Sequence, residues 1–145
     1  MNANTTGDPS TSAAAAAVPL HDPRRTERVG GALARQLGDR GVTAVVCWNS
    51  SEDIVLAHVV ARELGVELRL ADEAEGIVTL AAPLTPQDTV ALVGESLEGR
   101  NAVGGLAGVV DHVGARVAAV ATVEVPADVA GTTAESASVH TVEER

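Results

Sequence analysis

Glu95 and Glu98 stand three residues apart in the segment Val-Ala-Leu-Val-Gly-Glu-Ser-Leu-Glu-Gly-Arg-Asn-Ala-Val, residues 90–103. Two carboxylates so spaced in a loop can serve as an acid–base pair or hold a divalent cation. The plainer reading is a solvated acidic loop. A second polar group, Trp48-Asn49-Ser50-Ser51, runs directly into Glu52-Asp53. The four histidines are His21, His58, His112 and His140, and no two have metal-ligand spacing. His58 falls among apolar residues of a helical pattern and is expected to be packed or half-exposed. His112 follows Asp111 near a helix C-terminus, where the dipole favours an imidazolium. Cys47, the one cysteine, ends an apolar run and reads as a buried, inert thiol. All ten basic residues are Arg. The missing Lys excludes a phosphate loop of the Walker-A type and Schiff-base chemistry.

These residues need elements to hold them. Asp22-Pro23 is a helix start, with Asp as N-cap and Pro in the first turn. Val29, Leu33 and Leu37 then recur every four residues and give one apolar face, ending near 38–41. The β-branched run 42–47 reads as a buried strand, and 48–51 as the loop after it. Ser50 or Ser51 can cap a helix over 54–64, with Glu52 and Asp53 favourable in its first turn and Gly65 as its stop. Strands are expected at 66–70 and 77–81, flanking an acidic turn at 72–76 as a possible antiparallel hairpin. Pro83 and Pro86 mark a loop. The stretch 90–125 is then strand (90–93), loop, helix (about 102–113) and strand (116–123), a βαβ unit. In such a unit a ligand sits at the loop after the first strand, by the helix N-terminus.

The order α-β-α-β-β-β-α-β gives an α/β fold with a mainly parallel sheet flanked by helices. The chain has 145 residues, one domain by length. Residues 1–19 and 127–145 are low in complexity and read as a disordered N-terminal tail and a flexible acidic C-terminal tail. That leaves a domain at 20–126, about 105 residues, enough for a compact core. The formal charge is −10 and Trp48 is the only aromatic residue. With no basic stripe, nucleic-acid binding is not expected. No apolar run reaches the roughly 18–20 residues of a membrane span. The N-terminus lacks a basic n-region and a long apolar stretch. A cytoplasmic protein without disulfides fits this usage.

The frame of the segment 90–125 resembles the diphosphate-sugar-binding stretch of type I phosphoribosyltransferases. Their pattern is an apolar strand, two acidic residues, two spacers, Thr-Thr-Gly-x-Thr, and a helix ending at Gly-Ala-x-Val. The helix Leu56-Ala57-His58-Val59-Val60-Ala61-Arg62-Glu63-Leu64-Gly65 is similar to the family's Leu-Ala-x-x-Val-Ala-x-x-Leu-Gly. The resemblance implies the family's fold. It also implies that Gly94 and Glu95 stand where two acids hold ribose hydroxyls, and that Glu98, Gly99, Arg100, Asn101 and Ala102 stand where three hydroxyls wrap a phosphate. One carboxylate survives, all three hydroxyls are gone, and Glu98 sets a charge against a phosphate. At about 4 Å two like charges repel by roughly 1 kcal/mol in water and several times that when partly desolvated. Arg100 can offset this, and Gly99 still allows a phosphate-type turn. The pyrophosphate-loop equivalent, Trp48, Asn49, Ser50 and Ser51, is bulky and followed by acid where the family has small residues.

The resulting expectation is a phosphoribosyltransferase-like domain with a degenerate site. It would serve as a binding, regulatory or assembly module that self-associates or joins a protein partner, with no cofactor. The vestigial ligand residues would be Glu95, Gly99, Arg100 and Asn101. Trp48 and the loop 94–101 are expected at one edge of the sheet as a contact surface, unless Trp48 instead fills space in a core without Phe or Tyr. The alternative is an active phosphoribosyltransferase, or another Mg²⁺-dependent enzyme on nucleotides or phosphosugars, with Glu95 on the ribose and Arg100 on a phosphate. A generic Rossmann-like or flavodoxin-like domain is a third reading, and it would lack the hairpin at 66–81.

Overall fold

The computed structural model describes residues 22–97, 102–123 and 138–141. Helix α1 spans Pro23–Leu37. The Asp22 carboxylate accepts the Arg24 N–H at 3.1 Å, and Pro occupies the first turn. Strand β1 is Ala44–Trp48 and helix α2 is Ser51–Leu64. Gly65 stops α2 in the left-handed region at φ 72°, where its N–H bonds back to the Ala61 and Arg62 carbonyls. This is the glycine C-cap read from the sequence, and it requires a residue at ease with positive φ. Strands β2 (Glu67–Ala74), β3 (Ile77–Leu80) and β4 (Thr89–Gly94) follow. Then come helix α3 (Ala102–His112), β5 (Arg116–Thr122) and β6 (Ser138–Thr141).

The six strands form one sheet in the order β3-β2-β1-β4-β5-β6. Only β2 and β3 are antiparallel; the other neighbours run parallel. Side chains alternate between two apolar layers. Val45, Cys47, Ala91, Val93, Ala119 and Ala121 face α1 and α2. Ala44, Val46, Val90, Leu92, Val117 and Val120 face α3. With no Phe or Tyr the core relies on close backbone approach. A Cβ on Gly30 of α1 would fall 2.5 Å from Val59 Cγ1, so the two helices touch there.

Three expectations are corrected. Trp48 is the last residue of β1, and the loop begins at Asn49. The acidic turn is shorter than 72–76. Strand β2 continues through Asp72 and Glu73, which pair with Thr79 and Val78, and Glu75 and Gly76 alone make the turn. Their φ values of 53° and 81° are those of a two-residue turn whose twist matches the strands. Third, the stretch 127–145, taken as a tail, contains β6, which pairs with β5 from Ala119↔Ser138 to Thr122↔Thr141. Four residues rich in Ser and Thr carry little apolar pattern, and their ladder is made by backbone. Residues 1–19 and the rest of 127–145 lie outside the described residues.

Candidate functional site

In an open parallel sheet, ligands bind at the C-terminal ends of the strands where the chain reverses its direction of winding. Here that point lies between β1 and β4. The chain leaves β1 outward to β2 and β3, then returns to place β4 on the other side of β1. The walls of the crevice are the residues after Trp48 and those after Gly94. Trp48 and the start of the loop 94–101 therefore do share one edge, as expected.

Across the base of this crevice the chain's own side chains meet. Asp53, in the first turn of α2, reaches across the gap, and its Oδ1 accepts the Glu95 N–H at 2.8 Å. Burial pushes its carboxyl above the ordinary carboxylate range, against the pull of the Glu95 N–H and the Ser50 hydroxyl, with Glu52 adding repulsion. Ser50 stands at the N-cap but makes no side-chain cap bond. Glu52 and Asp53 stand in the first turn of α2, where the helix dipole favours negative charge. From the other side Leu97 folds down, buried and at φ 52°, an uncommon conformation for a branched residue. Its Cδ2 stands 2.6 Å from where a Cβ on Gly94 would be, and Asp53 Oδ1 stands 3.1 Å from the same point. Gly94 is therefore glycine because Leu97 and Asp53 press on it.

The sequence-derived site residues divide as follows. Glu95 is half-buried, and its carbonyl accepts the Val123 N–H at 2.9 Å. Asn49 turns away, its amide nitrogen donating to Asp72 Oδ1 at 3.0 Å and its backbone N–H to the Ala71 carbonyl at 2.9 Å. Ser51 is exposed. Glu98, Gly99, Arg100 and Asn101 lie outside the described residues. Trp48 is half-buried beneath α3, its Nε1 donating to the Ala102 carbonyl at 3.0 Å. Its ring lies against Gly105, where a Cβ would come within 3.0 Å of Cζ2. The indole thus packs against the α3 layer of the core and ties its Nε1 to the first turn of α3. Beside this packing, Ile77, Val78, Gly104, Gly105, Gly108, Val109 and His112 line an open hollow of about 360 Å³ between α3 and the hairpin.

Asp53 was read from the sequence only as acid following the pyrophosphate-loop equivalent, and Leu97 was not singled out. The contact of Asp53 with the Glu95 backbone depends on a partner 42 residues away. Cys47 is fully buried and its thiol is pushed up to about 12, first by burial and then by Asp53, so it is no nucleophile. His58 and His112 are exposed, which corrects the packed or half-exposed reading of His58. Among the described residues no group of three or more His, Cys, Asp and Glu could hold a metal ion, and no helix is long and apolar enough to cross a membrane.

No protein-family model matches the sequence, and no curated protein does. Solved structures do match. Adenine phosphoribosyltransferase from Trypanosoma brucei, in complex with AMP, pyrophosphate and ribose-5-phosphate, superposes with a TM-score of 0.68 at 14% identity. The match covers 84% of this chain and 65% of that one. The chain has the type I phosphoribosyltransferase fold. The enzyme from Saccharomyces cerevisiae matches at a TM-score of 0.65 and 14% identity, over 83% of this chain and 80% of that one. Purine phosphoribosyltransferase from Pyrococcus horikoshii gives 0.56 and 16% over 68% and 71%. This chain spans about two thirds of the trypanosomal enzyme's length. The hairpin rules out the generic Rossmann-like alternative, in which β2 and β3 would not pair antiparallel.

Proposed function

We propose that this phosphoribosyltransferase-like domain has lost catalysis and works as a binding, regulatory or assembly module, self-associating or joined to a protein partner. The observation that carries the reading is the contact made across the base of the crevice. Asp53 bonds to the Glu95 backbone and Leu97 is packed on Gly94, where a phosphoribosyl ligand would enter. The sequence adds support: Gly94 stands at one of two acidic positions, and Glu98 and Ala102 replace hydroxyls. The carboxylates Glu52, Asp53 and Glu95 at this edge form no cluster suited to a cation.

The active-enzyme reading draws on one observation, Glu95 at the end of β4, where it could hold a ribose. A thermal shift separates the two. A ligand present at about one hundred times its dissociation constant stabilises a fold by about 2.7 kcal/mol. For a domain of this size that moves the midpoint by about ten degrees or more. Phosphoribosyl diphosphate at millimolar concentration with Mg²⁺ is expected to leave the midpoint unchanged. A rise of several degrees with the sugar diphosphate and Mg²⁺ together, and with neither alone, would favour the enzyme. The assembly role is tested by sedimentation of the full chain, which is expected to run above the monomer mass.

A further inference from the structure

A polar cluster at the sheet edge joins β6 to α1. The Gln36 side-chain amide engages β6 at both ends: Nε2 donates to the Thr141 carbonyl at 3.0 Å, and Oε1 lies 3.0 Å from His140 Nδ1. The other ring nitrogen, Nε2, lies 2.8 Å from Ser138 Oγ. Because Gln36 presents its oxygen, Nδ1 carries the hydrogen, and Nε2 of a neutral ring accepts from Ser138. His140 is 8% exposed and sits on a four-residue edge strand whose other side chains are small or exposed. Little apolar burial holds this strand, so its side-chain contacts with α1 run through this one imidazole and one amide.

We propose that β6 is a pH-sensitive latch: the Ser138–His140–Gln36 chain keeps it on the sheet, and protonation of His140 releases it from β5. The hydrogen bonds themselves survive protonation. Nε2–H can donate to Ser138 Oγ, and the Ser138 hydroxyl can turn to the Ala118 carbonyl at 3.3 Å. What changes is a charge placed in a buried site. Burial lowers the affinity of His140 for a proton, Arg40 lowers it further, and Asp39 opposes them. Arg40 and Asp39 belong to the turn after α1. From α1 itself the ring meets uncharged Gln36, and neighbouring Arg35 is exposed. From β5 it meets the Ala119–Thr122 backbone, and the strand's one charged residue, Arg116, lies at the far end. A folded-state pKa below the free value means the docked strand loses stability as pH falls through the free imidazole value, about 6.5. Release uncovers the outer edge of β5, whose unpaired backbone can accept another extended strand.

The test is amide hydrogen exchange of the full chain by NMR at about pH 7.5 and about pH 5, corrected for intrinsic rates, alongside the His140 ring titration. The opening constant of the Val139 and Thr141 amides is expected to rise on acidification. It should rise toward the factor set by the gap between His140's docked pKa and about 6.5. Amides of β1 and β4 serve as the internal reference and should not follow. His140→Gln removes the titration, so β6 opening in that variant becomes independent of pH in this range. Should H140Q leave β6 undocked throughout, the wild-type ring titration still decides. A His140 pKa at or above 6.5, β6 opening that ignores pH, or opening shared with β1 and β4 would each overturn the proposal.

Discussion

Asp53 is a half-buried carboxylate bonded to the Glu95 backbone, and the sign of its pH dependence follows from that burial. Its native carboxyl titrates above the ordinary value of 3.8, first because of burial. The protonated form is therefore the one the fold prefers, and stability present at low pH is lost as pH rises through the native titration. Asp53→Asn keeps an oxygen for the Glu95 N–H and removes the charge. It is expected to be more stable than the wild type at pH 7 by urea denaturation, with the gap closing as pH falls toward 3.8. A wider gap at low pH would mean that the carboxylate is stabilising. At Trp48 the half-buried ring and its bond to Ala102 predict that Trp48→Ala costs about 3 kcal/mol, the lower end for truncating a large aromatic. A loss under about 0.5 kcal/mol would return Trp48 to the role of surface anchor. Gly30→Ala should cost about 1–3 kcal/mol, because its Cβ would meet Val59.

At the scale of elements, the turn Glu75-Gly76 needs two residues at positive φ and has a glycine at one. Asn tolerates that conformation better than Glu. Glu75→Asn is expected to raise stability by about 0.5 kcal/mol, and an unchanged or lowered urea midpoint would show that the turn is not under strain. The elements themselves were largely legible. Asp22-Pro23 and Gly65 announce helix ends by backbone chemistry that tertiary packing does not override. Runs such as 42–47 and 90–93 can only be buried strands in so short a chain. What could not be read was whatever depends on a distant partner. Asp72 and Glu73 look like turn residues until Val78 and Thr79 pair with them. Strand β6 has no apolar signal, because an edge strand is specified by its neighbour's free backbone. The register shift between Val90 and Ala91, which skips Ala118 on β5, likewise leaves no mark in the sequence. Within the site, Glu95 and the shared edge of Trp48 were legible from the frame of the βαβ unit. Leu97 was not, since its inward turn is a property of the loop.

The described residues form a sheet with α1 and α2 on one face and α3 on the other, edged on one side by the hairpin and on the other by β6. That strand makes residues 138–141 part of the folded unit. A chain ending at 126 is expected to lose at least about 2 kcal/mol of stability, since Gln36 loses two contacts at about 1 kcal/mol for each net hydrogen bond and the loss of β5's outer ladder adds to this. An unchanged melting midpoint for the shortened chain would show that β6 adds nothing. The central claim concerns the end of β4, where the domain carries the fold seen in adenine phosphoribosyltransferases while Asp53 bonds to the Glu95 backbone and Leu97 packs on Gly94. Isothermal titration calorimetry of the full chain with phosphoribosyl diphosphate and Mg²⁺ tests this most directly. The account predicts no saturable heat up to millimolar ligand. A dissociation constant in the micromolar range, about −8 kcal/mol of binding free energy, would contradict it.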